Sequence, residues 1–320
     1  MKVVVVGMGV QGKKRQHHAG EDFIFSVDPM KADADYGDIR DVPLSSYDAA
    51  LVCLPDEPKY AVLKYLLENG KHVLVEKPLW TETDEQLLEL QQLAINKHLV
   101  CYTAYNHRFE PHFVRMKSLL NDNTLGNIRY CRMFYGNGTA RLVRESAWRD
   151  QGAGVWPDLG SHLLDTIQYW FGIQPSGFEI VVMNTFENSA PDHVLVIHKD
   201  TQPQLTFEMS LLSWRNHFVC EIIGEKGSAH IDSLCKWGPS RFTQYKRILP
   251  SGRPPEETVT LVQEDPTWAL EYKHFKQLII DKVRTDLTTD LWIQQTLNAV
   301  SQNYLHTRST LKSSEEHCFS

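Results

Sequence analysis

The 320-residue chain has no Cys-x-x-Cys pair, no surplus of basic residues and no apolar run near the roughly 18 residues a membrane span needs. Each absence removes a class of function. Its six cysteines (Cys53, Cys101, Cys131, Cys220, Cys235 and Cys318) are scattered, several of them in apolar runs. That fits reduced core residues rather than a disulfide framework or a zinc knuckle. No set of His, Cys and carboxylate residues has metal-ligand spacing, so no metal is expected. With 33 basic against 40 acidic residues the net charge is −7, the wrong sign for holding a phosphate backbone, and no nucleic-acid partner is expected. The N-terminus runs from Val3–Val6 straight into glycines and lacks the layout of a secretory leader. The expected location is cytoplasmic, with no membrane partner. Repeats and low-complexity tracts are absent too.

What remains is a globular composition, 42% hydrophobic and 23% charged, at a length that suggests two domains. Lys2 to Val6 reads as a strand buried on both faces of a parallel sheet, and Gly7, Gly9 and Gly12 follow it at once in the spacing Gly-x-Gly-x-x-Gly. The first glycine permits a tight turn, the second lets a pyrophosphate approach the backbone, and the third lets the next helix pack on the strand. A second strand, Phe23 to Val27, ends in Asp28, as a dinucleotide fingerprint requires. Asp28 would accept hydrogen bonds from the adenosine ribose and repel a 2′-phosphate. NAD is therefore expected over NADP, with Lys31 nearby as a counterweight. Asp48 to Leu54, Lys71 to Val75 and Leu99 to Tyr105 supply further strands, with helices at Ala61 to Glu68 and Asp84 to Lys97. The strand before Glu76-Lys77-Pro78 delivers that tripeptide to the edge where open parallel sheets bind ligands. Lys77 can hold a substrate oxygen there, or be a solvated loop lysine.

Gly152 to Asp165 reads Gly-Ala-Gly-Val-Trp-Pro-Asp-Leu-Gly-Ser-His-Leu-Leu-Asp and continues as an apolar-periodic helix to a stop at Gly172. With Pro157 in the first turn, Asp158, His162 and Asp165 fall at i, i+4 and i+7, on one face. A carboxylate one turn from an imidazole can fix its tautomer and raise its basicity, as a general base needs. The plainer reading is a buried helix that Asp158 caps, with His162 merely hydrogen-bonded. Beyond Asn127 the pattern changes to seven strands with few helices between them, which indicates a mostly antiparallel sheet. Two late helices, near 266–283 and 291–305, are expected to cover one face of it.

Taken in order, the glycine turn, Gly70-Lys71-His72-Val73 running into Glu76-Lys77-Pro78, Asn106 with Arg108-Phe109 and Pro111, Trp148-Arg149, and Gly152 to Asp165 resemble the glucose–fructose oxidoreductase / inositol dehydrogenase / MocA family. The match spans residues 1 to about 172 and is weaker beyond. The resemblance implies an α/β architecture: a Rossmann NAD(P)-binding domain over residues 1–105, then an α+β substrate-binding and oligomerisation domain over 106–320 with a large open sheet. It implies an NAD(P)-dependent oxidoreductase acting on the secondary alcohol or ketone of a sugar, cyclitol or nucleotide sugar, with Lys77, Asp158 and His162 as the acid/base group. The lysine–proline bond is often cis in that family, which would suit Pro78. The cofactor set is Gly7, Met8, Gly9, Val10, Gln11, Gly12, Asp28, Leu54, Pro55, Glu76, Lys77 and Asn106. The substrate set is Lys77, Arg149, Asp158, His162 and Asp165. A homodimer or homotetramer through the C-terminal sheet is expected, since an apolar outer sheet face needs a cover.

The chain departs from the family in two places. The segment between Asp28 and Asp48 is too short for the usual helix, and Lys59 stands where many members carry a histidine. Two other readings use the same scaffold. A regulatory dinucleotide- and sugar-sensing protein would normally have lost the lysine or histidine, and an imine or tetrapyrrole reductase would not need His162.

Overall fold

The computed structural model describes residues 1–146, 149–172, 177–200 and 202–318, with side chains described through residue 306. The chain divides into two compact units, Met1–Phe109 with Pro266–Gln294, and Glu110–Asp265 with Gln295–Ser320.

In the first unit, β-branched and apolar runs make short buried strands with helices between them. The elements are β1 (Val3–Val6), α1 (Val10–Ala19), β2 (Phe23–Val27), β3 (Ala49–Val52), α2 (Asp56–Glu68), β4 (His72–Glu76), α3 (Asp84–Asn96) and β5 (Cys101–Ala104). All five strands are parallel, in the order β2-β1-β3-β4-β5. Alternate residues of β1 serve opposite faces. Val4 and Val6 pack with leucines of α2 and α3, while Val3 and Val5 share a core with Ala19 of α1. The order reverses direction at β1/β3, so the ligand crevice of this sheet lies at the carboxyl ends of those two strands. Between β2 and β3 the usual helix is missing, as its length predicted. The chain doubles back so that Tyr36 bridges Val27, then makes two single 3₁₀ turns, Ile39–Asp41 and Leu44–Ser46.

The helix Thr267–Ile280 corrects the expectation that both late helices cover the second domain's sheet: it belongs to the first unit. Its Tyr272 and Phe275 pack with Val3, Val5, Leu51 and Leu74. From the first hundred residues only α1, ten residues long, serves that face. A parallel sheet needs both faces covered, and this helix completes the cover.

The second unit contains α4 (Pro111–Asn121), β6 (Ile128–Gly136), α5 (Ala140–Arg144), a π-turn at Trp156–Gly160 and α6 (Ser161–Phe171), followed by β7 (Glu179–Asn184), β8 (His193–His198), β9 (Gln204–Ser210), β10 (His217–Gly224), β11 (Gly227–Asp232), β12 (Ser240–Lys246) and β13 (Glu256–Leu261). The eight strands lie in the order β13-β12-β11-β10-β6-β9-β8-β7, and every pairing is antiparallel except β6 with β9. The strand missed by pattern is β11, whose Gly-Ser-Ala-His start carries little β-propensity but pairs residue for residue with β10 and β12. Phe113 of α4 lies 5.1 Å from Trp170 of α6 and 5.2 Å from Phe218 of β10, fastening both helices to the sheet's inner face.

Among the described residues no helix is long and apolar enough to cross a membrane, and no three His, Cys or carboxylate residues gather as a metal site. The five described cysteines are all free thiols.

Candidate functional site

The glycine turn has three positions with three different surroundings. Gly7 has φ +91° and its amide donates to the Val27 carbonyl at 2.8 Å; a Cβ there would sit 2.5 Å from the Cys53 carbonyl oxygen. A Cβ on Gly12 would come within 1.9 Å of the Gly7 carbonyl oxygen. Both neighbours are backbone, so neither can move aside. A Cβ on Gly9 would meet nothing within 4 Å. Val10, which opens α1, is exposed, as is Gln11. The turn is therefore tight where chain meets chain and open where a diphosphate would lie against the start of α1. The Asp28 carboxylate accepts from the Met8 amide at 2.7 Å and the Met30 amide at 2.8 Å, which ties the end of β2 to this turn. These residues fit a dinucleotide.

Leu54 and Pro55 follow β3 at the same sheet edge, and Asn106 donates to the Thr267 hydroxyl at 2.8 Å in the same unit. Glu76 ends β4. Its carboxylate receives Arg15 Nε of α1 at 2.7 Å, and Arg15 also pairs with Glu271 at 2.7 Å and lies under the Trp268 ring at 4.3 Å. Arg15 is 1% exposed and Glu271 fully buried. Burial alone would lower the pKa of this guanidinium, but the Glu271 and Glu76 carboxylates outweigh it and raise the pKa above its ordinary value. Lys77 follows directly after the last residue of β4. The Lys77–Pro78 peptide is cis.

In the second unit, Asp158 lies in the π-turn rather than on an α-helix that starts at Pro157. The π-turn is wider than an α-turn, and it leaves Asp158 partly exposed while His162 and Asp165 on α6 are buried. Arg149 reaches the Asp158 carboxylate at 3.4 Å. The His162 ring lies 5.9 Å from the Tyr135 ring of β6. Burial, and then the Asp158 charge, push the Tyr135 hydroxyl pKa well above its ordinary value, so this phenol stays protonated. Trp148, a sequence candidate, lies outside the described residues.

The structure thus groups Gly7, Gly9, Gly12 and Asp28 in the first unit, and Arg149, Asp158 and His162, with Tyr135, in the second. Sequence reading missed Arg15, Glu271 and Tyr135. The only signal was a basic, an acidic and an aromatic residue in otherwise ordinary positions, and their partners are distant along the chain.

A model of the oxidoreductase family's NAD-binding Rossmann fold matches residues 1–105, and a model of the GFO/IDH/MocA C-terminal domain matches residues 113–230. An uncharacterized oxidoreductase of Escherichia coli strain K12 is 31% identical over 163 residues, 48% of this chain and 46% of that protein. The trans-1,2-dihydrobenzene-1,2-diol dehydrogenase of Oryctolagus cuniculus is 30% identical over 200 residues, 62% of this chain and 59% of that protein. The chain spans about half the length of the curated relatives it matches. Levoglucosan dehydrogenase in complex with NADH has the same fold, with a TM-score of 0.79 at 17% identity over 95% of this chain and 97% of that one. With one family's models on both of its units, and the glycine turn built as that family's cofactor domain requires, the chain belongs to the GFO/IDH/MocA oxidoreductase family.

Proposed function

We propose that the chain is an NAD-dependent dehydrogenase, with NADP the less favoured cofactor, that moves a hydride between nicotinamide and a secondary alcohol or ketone of a sugar, cyclitol or nucleotide sugar. The observation that carries this reading is the glycine turn, closed at Gly7 and Gly12, open at Gly9 and braced by Asp28. The bound nicotinamide supplies the hydride chemistry. The chain must supply a base for the hydroxyl proton and a cation for the charge that develops on oxygen. His162 takes the proton, Asp158 orients His162 and accepts a substrate hydroxyl, and Lys77 faces the oxygen. Arg149 and Asp165 complete the substrate set. Support comes from the residue-by-residue match to the family's Glu-Lys-Pro and Asp-x-x-x-His patterns.

The outward face of the eight-stranded sheet carries Tyr130, Phe134, Leu195, Ile197, Val219 and Ile223 among charged neighbours. A second copy of the chain would cover it, giving a homodimer or homotetramer.

The test is nicotinamide absorbance in a panel of sugars, cyclitols, nucleotide sugars and cyclic diols with NAD or NADP. At least one alcohol is expected to be oxidised, with Lys77→Met and His162→Ala each lowering kcat by roughly 10²- to 10⁴-fold. NAD binding without turnover anywhere in the panel would move the reading to a regulatory protein. Turnover that survives His162→Ala would move it to an imine or tetrapyrrole reductase.

A further inference from the structure

Lys59 lies in the second turn of α2, where an amphipathic helix facing a core offers no place for a charge, yet its side chain is 3% exposed. A buried ammonium is tolerated only when its hydrogens meet acceptors. Two acceptors are present. Lys59 Nζ donates to Asp56 Oδ1 at 2.7 Å and to the Pro78 carbonyl oxygen at 2.7 Å. Asp56 begins α2 directly after Leu54-Pro55, and Pro78 follows Lys77. One side chain therefore joins the loop after β3, assigned to the cofactor, to the loop after β4, whose Lys77 is assigned to the substrate oxygen.

We propose that Lys59 is a positioning residue that holds the Lys77-bearing turn in register with the cofactor loop. This rests on the reading of Lys77 given above. Burial pulls the Lys59 pKa below its usual value against the pull of Asp56. The Pro78 carbonyl and the Asp56 carboxylate together keep the cation in place. Methionine, one heavy atom shorter, fills most of the same space and keeps α2 packed, but it leaves the Pro78 carbonyl without this donor and frees the turn.

Hydrogen exchange of the full chain, read by mass spectrometry on peptides covering 76–82 and 60–68, tests the clamp without a substrate. In Lys59→Met, exchange over 76–82 is expected to rise about tenfold while 60–68 and the melting temperature stay at wild-type values. Asp56→Ala, which removes an exposed partner and leaves no cavity, is expected to move the same peptide in the same direction by a smaller factor, and it decides the matter if Lys59→Met does not fold. Wild-type exchange over 76–82 in the folded variants overturns the proposal, as does a rise spread equally over 60–68. With a turned-over substrate, kcat of Lys59→Met falls with little change in the KM for NAD. If Lys77→Met retains turnover while Lys59→Met still loosens 76–82, the assignment of Lys77 fails and the clamp stands.

Discussion

Replacing Arg15 with leucine separates a buried charge from its two partners and makes a sharp test of the first unit's energetics. Glu76 is 13% and Glu271 0% exposed at the side chain, so neither carboxylate can be rehydrated in place. Breaking a buried pair from one side costs about 3–5 kcal/mol, because the remaining charge stays desolvated. The lost contact with the Trp268 face adds roughly 0.5–1 kcal/mol. For a unit of this size each kcal/mol is worth about 3 °C, so Arg15→Leu is expected to lower the melting temperature by about 10–18 °C. The effect also depends on pH. Without the guanidinium, Glu271 stays fully buried, and desolvation raises its folded-state pKa above the unfolded value near about 4.3. A carboxylate with a raised folded pKa contributes stability at low pH and loses it as pH rises through that pKa. The deficit against wild type is therefore largest at pH 8 and shrinks toward pH 5. Arg15→Leu/Glu271→Leu is expected to recover part of the loss, a coupling of at least about 1 kcal/mol. Urea titrations at pH 5, 6.5 and 8 on wild type, Arg15→Leu, Glu271→Leu and the double variant read both quantities. A loss under about 1 kcal/mol that is flat with pH, or strict additivity in the double variant, refutes the account of a buried, charged triad.

Gly12→Ala drives a Cβ to 1.9 Å from a backbone oxygen and is expected to lower both stability and NAD affinity, whereas Gly9→Ala meets nothing within 4 Å and should cut NAD affinity at least tenfold at an unchanged melting temperature; fluorescence titration with NADH beside a thermal melt separates the two. Asp192, fully buried, accepts from the amides of Phe186, Glu187 and Asn188 at 2.6–3.1 Å. Its replacement by alanine is expected to cost about 3 kcal/mol in a denaturant titration and to leave NADH affinity unchanged.

What the sequence made legible is local. Val3 to Val6 followed by Gly7, Gly9 and Gly12 carries strand, turn and helix start within ten residues, and the structure keeps each piece in its expected place. The stop at Gly172, with φ +85°, was readable for the same reason. What escaped depends on distance. Glu76 lies 61 residues from Arg15 and needs Glu271 to complete the triad, and no pattern within one helix announces that pairing. The π-turn under Asp158 has the same composition as a helix start, and it changes only the turn's width. In the sequence Lys59 is only a lysine where many family members carry a histidine, a departure that bears on a minor contact. Its burial follows from the Pro78 carbonyl, which belongs to another loop.

The assignment of Pro266–Gln294 to the first unit has a consequence for how the chain is made. A nascent polypeptide emerges in order, so the strands Val3–Val6, Ala49–Val52 and His72–Glu76 leave the ribosome long before Tyr272 and Phe275 exist to shield one side of them. The dinucleotide half is thus the first to begin folding and cannot finish until the other half has been synthesised. The interval between those two events is when this protein most needs a chaperone's protection.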